Sequence, residues 1–263
     1  MTAWDAFILG AVQGLTEFLP VSSSGHLVLG QALLDLPDEG IAFVIAVHVA
    51  TLVSVLVVYR DRVSWLALGA LRAEREAWRY LNMLVVGTLP AALVGMVLWD
   101  AVEHLFQSLW AVGLGFLFTA AILVSSRGPL DRAASKGLDI RLALIIGCAQ
   151  ALAVAPGVSR SGATVVTALW LGVPAAEAAA FSFLLSIPAI LGAALLNLLQ
   201  SGGGSAMTGV ELMTVSVGGL AAAVFGVLAI RMFVQMLREK TFPRFAYYVG
   251  PLGLVLLIWT MVG

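Results

Sequence analysis

Two apolar regions of this chain, 3–34 and 142–173, are each broken midway by a cluster of Pro, Gly and Ser. The breaks are near-copies of one another. Gln13-Gly-Leu-Thr-Glu17-Phe-Leu-Pro20-Val-Ser22-Ser23-Ser24-Gly25-His26 aligns without a gap to Gln150-Ala-Leu-Ala-Val-Ala-Pro156-Gly157-Val-Ser159-Arg160-Ser161-Gly162-Ala163 at a constant offset of 137. Six other apolar stretches run uninterrupted, near 41–59, 80–99, 109–126, 178–199, 212–231 and 245–262. A hydrocarbon core takes about 17–25 residues of helix, so each of the six is long enough to cross it. The broken pieces (3–18 with 25–34, 142–155 with 163–173) are mostly too short to cross alone. Each pair reads as a re-entrant helical hairpin, with one kinked span as the alternative.

Composition fits that reading. The chain is 61% apolar and 11% charged, which marks a polytopic membrane protein. A net charge of −1 points to neither nucleic acid nor an acidic partner. One cysteine, Cys148, excludes an internal disulfide. The start, Met-Thr-Ala-Trp-Asp, lacks the basic stretch of a cleavable signal peptide, so no processing is expected.

The basic residues set the orientation. Thirteen of the fourteen Lys and Arg lie in or beside three connections: Arg60 to Arg79, Arg127 to Arg141 and Arg231 to Arg244. The connections 35–40, 100–108 and 200–211 have none. By the positive-inside rule the basic connections are cytoplasmic and both termini lie outside. Hairpin 3–34 then enters from outside, and 142–173 from the cytoplasm. A hairpin followed by three spans has odd parity, so the second copy must be inserted upside down. The expected fold is all-α: one integral membrane domain, 1–263, an inverted-topology repeat of halves at about 1–126 and 140–263. Such repeats place broken helices and a binding site near the midplane.

The polar residues at the two tips are suited to an anion. Glu17 lies four residues after Gln13, on one helical face, and a carboxylate at membrane depth usually faces a cavity, a cation or a partner. Ser22, Ser23 and Ser24 supply hydroxyls or simply an N-cap, Gly25 permits close approach of backbone, and His26 is a titratable group or a structural histidine. Arg160 is the one basic residue outside the three connections, and its forked donors match a phosphate. It sits between Ser159 and Ser161, followed by Gly162 and Thr164. Both returning half-helices start at these tips, and helix N-termini favour anions. The reading is a site that binds phosphate and has the groups to react with it.

The same two stretches resemble the signature motifs of bacterial undecaprenyl-diphosphate phosphatases of the BacA/UppP family. The resemblance spans the whole chain. It implies hydrolysis of undecaprenyl diphosphate to undecaprenyl phosphate at an extracytoplasmic-facing site of the plasma (inner) membrane, with a divalent cation, Mg²⁺ or Ca²⁺, and a link to bacitracin resistance. By position it implies Glu17 and Gln13 for the cation and Glu17, Ser23, His26 and Arg160 for catalysis. Ser22, Ser24, Gly25, Ser159, Ser161, Gly162 and Thr164 would bind substrate. The family allows Glu or Gln at Gln13; Gln leaves Glu17 as the motif's single carboxylate. Ser23 attacking phosphorus with His26 exchanging its proton is the preferred chemistry, with attack by His26 or by water left open. Partners would be the polyprenyl diphosphate, membrane lipids and, for a homodimer, a second copy. The rival class is a transporter or flippase for a phosphorylated lipid or small anion. Another class of membrane lipid phosphatase carries a second His after the arginine, and no His follows Arg160.

Lesser expectations complete the reading. His48 lies mid-span, either satisfied within the bundle or lining the site. Pro90 and Pro188 kink helices, six tryptophans (Trp4, Trp65, Trp78, Trp99, Trp110, Trp259) mark membrane edges, and Gly202 to Ser205 forms a flexible external loop.

Overall fold

The computed structural model describes residues 1–33, 41–132, 134–200 and 209–262, and these are helical nearly throughout. The loop expected at Gly202 to Ser205 lies outside the described residues. The first broken region forms α1 (Ala3–Phe18) and α2 (Ser23–Leu33), and the second forms α9 (Ile140–Leu152) and α10 (Arg160–Trp170). The uninterrupted stretches form α3 (Ile41–Val58), α5 (Arg75–Val97), α7 (Leu109–Ser125), α11 (Ala175–Gln200), α12 (Gly209–Arg238) and α13 (Ala246–Val262). Three shorter helices are α4 (Arg60–Leu71), α6 (Trp99–Phe106) and α8 (Arg127–Asp131), and Phe242–Phe245 forms a 3₁₀ turn before α13.

This is a multi-pass membrane protein. Among the described residues five helical segments are apolar and long enough to cross a bilayer unaided, and α3 becomes the sixth when taken with α4, from which it bends by 87°. The sequence treats 60–79 as connection; the structure makes most of it helix turned across the bundle axis, beginning where Arg60-Asp61-Arg62 ends the apolar run. Outward faces carry large apolar side chains, including Leu89, Leu93, Leu195 and Leu220, as lipid contact requires. Of the belt tryptophans, Trp4, Trp78, Trp110 and Trp259 are exposed. Pro90 and Pro188 lie inside α5 and α11.

Helix pairing follows small residues. α1 lies along α12, with Gly10 against the backbone of Gly218, and α9 lies along α5, with Gly147 against the backbone of Gly87. No Cβ fits at either crossing, so the backbones approach closely, as small residues permit in membrane bundles. Gly10 and Gly147 are themselves 137 apart.

The three basic connections gather at one end. Lys240 bridges to Asp131 at 2.9 Å, Arg127 donates to the Tyr247 hydroxyl at 2.7 Å, and Tyr59 lines a cavity with Arg231 and Arg238. α9 begins at this end, capped by Asp139, whose carboxylate accepts from the Leu142 N–H at 2.8 Å. α1 begins elsewhere, packing Ala6 and Leu9 against Phe43 and Val47 of α3 and Ala222 of α12.

Candidate active site

The two breaks are built alike and meet. In the first, the Ser22 hydroxyl accepts from the Gly25 N–H (3.4 Å) and lies 3.2 Å from Ser24 Oγ. In the second, the Ser159 hydroxyl accepts from the Gly162 N–H (3.1 Å) and lies 3.2 Å from Ser161 Oγ. Each bond is the other's counterpart at the 137 offset. Serine at the cap satisfies one of the N–H groups that a helix start leaves without a partner. The tips touch directly, since Ser161 Oγ donates to the Leu19 carbonyl (3.2 Å). α7 braces both: Phe116 packs on Gly25 and His26, and Gly115 lies against Pro156 and Gly157. Thr119 Oγ1 donates to the Gly157 carbonyl and accepts from the Ser159 N–H, both at 2.9 Å.

Glu17 is the centre of the polar network. Its Oε1 accepts from Arg160 Nη2 at 2.7 Å, joining the first tip to the second. Its Oε2 accepts from Ser23 Oγ at 2.6 Å and from Gln13 Nε2 at 2.9 Å. Arg160 Nη1 donates to the Ser182 carbonyl of α11 (3.1 Å), which fixes the plane of the guanidinium. The pair is well buried, with side-chain exposures of 15% for Arg160 and 6% for Glu17, whereas Ser23, Ser24 and His26 are partly exposed. An ion pair with so little water requires further hydrogen bonds on both members, and both have them.

His26 is held separately. Its Nδ1 donates to the Ser22 carbonyl (2.8 Å), so in the neutral ring Nε2 accepts from the Tyr248 hydroxyl, also 2.8 Å away. The ring stacks on Tyr248. The Ser23 hydroxyl therefore donates to Glu17, which the resemblance also offers as activator of the nucleophile, and not to His26, its preferred partner. The reason lies in Ser22, whose φ of 69° turns the chain so that Ser23 faces back toward α1 while its own carbonyl anchors His26. A non-glycine residue in that region is strained by about 1–3 kcal/mol, a feature that clusters at functional sites.

The remaining second-tip hydroxyls are engaged within the protein. Ser159 caps α10, Ser161 joins the tips, and Thr164 Oγ1 donates to the Arg160 carbonyl (2.8 Å) and lies 2.6 Å from Ser182 Oγ. Gly162 lies against Pro20 and the cap itself. Three participants were given low weight or none by the sequence. His48 Nδ1 donates to the Val44 carbonyl, which turns Nε2 toward Glu17 Oε2 at 3.7 Å. Tyr248 and Ser182 come from remote helices. His48 and Ser182 are polar residues in largely apolar spans, but they share those spans with Thr51, Ser54 and Ser186, so the signal was weak; Tyr248 gave none.

Residues 6–255 match the family model described as bacitracin resistance protein BacA. This chain belongs to the BacA family. Among relatives similar over their full length, the undecaprenyl-diphosphatase of Carboxydothermus hydrogenoformans is 41% identical, covering 100% of this chain and 99% of its own. That of Parabacteroides distasonis is 41% identical with 100% of both chains covered, and that of Methanosphaera stadtmanae 37% identical with 98% of both covered. BacA family membership applies to both tips alike, since the matched range contains Glu17, Ser23, His26 and Arg160.

Proposed function

We propose that the protein hydrolyses undecaprenyl diphosphate to undecaprenyl phosphate and inorganic phosphate. It does so in the bacterial plasma membrane, with the site open to the extracytoplasmic side and both termini there. Its halves, about 1–126 and 140–263, form an inverted repeat. Support for the repeat comes from the matched cap bonds, the paired α1–α12 and α9–α5 crossings, and the placement of α9, but not α1, at the basic end. The activity would return the lipid carrier to cell-wall synthesis and underlie a link to bacitracin.

The observation that carries the reading is Glu17 held between Ser23 and Arg160, at 2.6 and 2.7 Å. Ser23 Oγ attacks the terminal phosphorus. As the P–O bond forms, the hydroxyl proton passes to Glu17 Oε2 and the bond to the bridging oxygen breaks, releasing undecaprenyl phosphate. Water then attacks the phosphoserine, frees inorganic phosphate and restores Ser23. Arg160 is shared between Glu17 and the diphosphate. When the diphosphate draws the guanidinium, Glu17 Oε1 is released while Oε2 keeps the Ser23 hydroxyl. Partly exposed Ser24 and the α2 N-terminus at Ser22 to Gly25 meet the phosphate oxygens, and His26 exchanges a proton with an oxygen of the substrate. Ser159, Ser161, Gly162 and Thr164, expected from sequence to touch substrate, act by holding Arg160 in place.

A divalent cation, Mg²⁺ or Ca²⁺, belongs to the proposal. Among the described residues no three His, Cys, Asp or Glu side chains cluster as a cage. Gln13 Oε1, however, is buried beside Glu17 without a partner. An amide oxygen and one carboxylate fit a hard cation that takes its remaining ligands from substrate oxygens and water. Gln13 and Glu17 would hold it, and it would neutralise diphosphate charge.

The test is phosphate release from a polyprenyl diphosphate by purified protein in detergent. Arg160→Ala and Glu17→Ala are each expected to fall by about 10³-fold or more; parent-like rates in both would remove the assigned site. Release in detergent, where no gradient exists, also separates the enzyme from the rival transporter.

A further inference from the structure

A basic cavity lies away from the site, at the end where the basic connections gather. The end of α3 and the last turns of α12 border an open, mostly apolar cavity of about 380 Å³, lined by Val58, Tyr59, Arg231, Val234, Gln235 and Arg238. That is within the size range of small-ligand pockets. Arg231 and Arg238 are seven residues apart, two helical turns, so they project from one face about 10 Å apart along the axis. Gln235 sits between them on the same face. Neither arginine has a carboxylate partner among the described residues, and the nearby Glu239 carboxylate is bound by Gln235 Nε2 at 2.8 Å.

A neighbouring basic cavity shows what a satisfied arrangement looks like. It is lined by Arg127, Asp131, Lys240, Arg244 and Tyr247 among others, and there Lys240 is paired with Asp131 and Arg127 donates to Tyr247. The α3–α12 cavity has two guanidiniums and no acid in its lining.

The occupant is identified by what adjoins the cavity. Toward the bundle centre the α12 face that bears Arg231 and Arg238 continues in exposed Val224 and Leu228, a surface suited to acyl chains. Beyond it, α4 turns by 87°, with Leu68 and Leu71 exposed, as a helix lying in the headgroup layer would. We infer that this cavity binds the phosphate-bearing headgroup of an anionic phospholipid, with Arg231 and Arg238 on the phosphate and the acyl chains along α12. Basic pockets between membrane helices recognise lipid headgroups in this way. The site is separate from the Glu17–Arg160 network and does not depend on the reading of that network.

The experiment places the full-length protein in nanodiscs containing phosphatidylglycerol or only phosphatidylcholine, and counts retained lipid by native mass spectrometry after gentle release. The parent should retain phosphatidylglycerol in preference to phosphatidylcholine. Arg231→Gln and Arg238→Gln should each lower that retention roughly fivefold, and the double variant roughly 25-fold, with phosphate release from the diphosphate substrate within about twofold of parent. Arg127→Gln with Arg244→Gln, in the neighbouring cavity, should leave retention unchanged. Three results would overturn the proposal: no preference in the parent, equal loss in the control pair, or displacement of the lipid by millimolar inorganic phosphate, which would make the ligand a free anion. If the double glutamine variant does not fold, Arg231→Lys with Arg238→Lys decides. Lysine keeps the charge but not the fork, so partial loss of retention supports the site and parent-like retention counts against direct phosphate contact.

Discussion

The two tips share a frame and differ in the residues mounted on it. At positions 22 and 159 a serine caps the returning helix through a glycine N–H three residues on, and in both its hydroxyl lies 3.2 Å from that of the serine two residues on. The backbone reaches that frame differently. The first tip puts the left-handed residue at Ser22 (φ 69°), whereas in the second Ser159 is extended at φ −76° and Gly157 takes the positive φ of 83°. Strain therefore falls on the residue before Ser23 in one copy and on a residue that tolerates it in the other. The strained tip is partly open and presents Ser23, Ser24 and His26; the relaxed tip is buried around Arg160. A repeated hairpin thus provides position twice, and the division between the copies lies in residues that differ, Glu17, Ser23 and His26 in the first against Arg160 in the second.

That division can be broken by substitution. Ser23→Ala should have the largest effect, lowering phosphate release by about 10⁴-fold with thermal unfolding in detergent nearly unchanged. A loss under tenfold would move the attacking group to water or His26. Next, Gly157→Ala meets both an unfavourable φ and the backbone of Val112 and Gly115, so it should destabilise the protein by about 3 kcal/mol, read as a lowered unfolding midpoint. Arg160→Lys keeps charge but cannot serve Glu17, Ser182 and a phosphate with one planar fork; about 10²-fold slower turnover is expected, mostly in kcat. The smallest effect should be Ser159→Ala, a lost cap of about 1 kcal/mol in stability with phosphate release within about threefold. If Ser159→Ala instead abolished turnover while unfolding normally, the second tip would touch substrate through its hydroxyls after all.

The spans were legible because an apolar run of sufficient length is a property of a single stretch. The expected 41–59, 109–126 and 245–262 became Ile41–Val58, Leu109–Ser125 and Ala246–Val262. The hairpin halves were legible for the same reason, with Pro20 and Pro156 marking the breaks. What the sequence withheld depends on packing. His48 reaches Glu17 because α3 lies beside α1, and Tyr248 reaches His26 across 222 residues because α13 lies beside α7. Neither relation has a period or a motif. The hydrogen-bond partner of Ser23 was not legible for a local reason: spacing alone does not reveal a left-handed Ser22, whose torsion turns the serine toward Glu17.

The Arg160–Glu17 pair also bears on how the chain enters the bilayer. Its two members are 143 residues apart, one in each half. During synthesis the first hairpin is complete long before the second exists, so Glu17 must wait at membrane depth without its cation, a costly state for an isolated carboxylate. Insertion of the second hairpin removes that cost in one step. A chain truncated before Arg160 therefore carries an unmatched acid in its core, and should unfold at a lower temperature in detergent than the full chain.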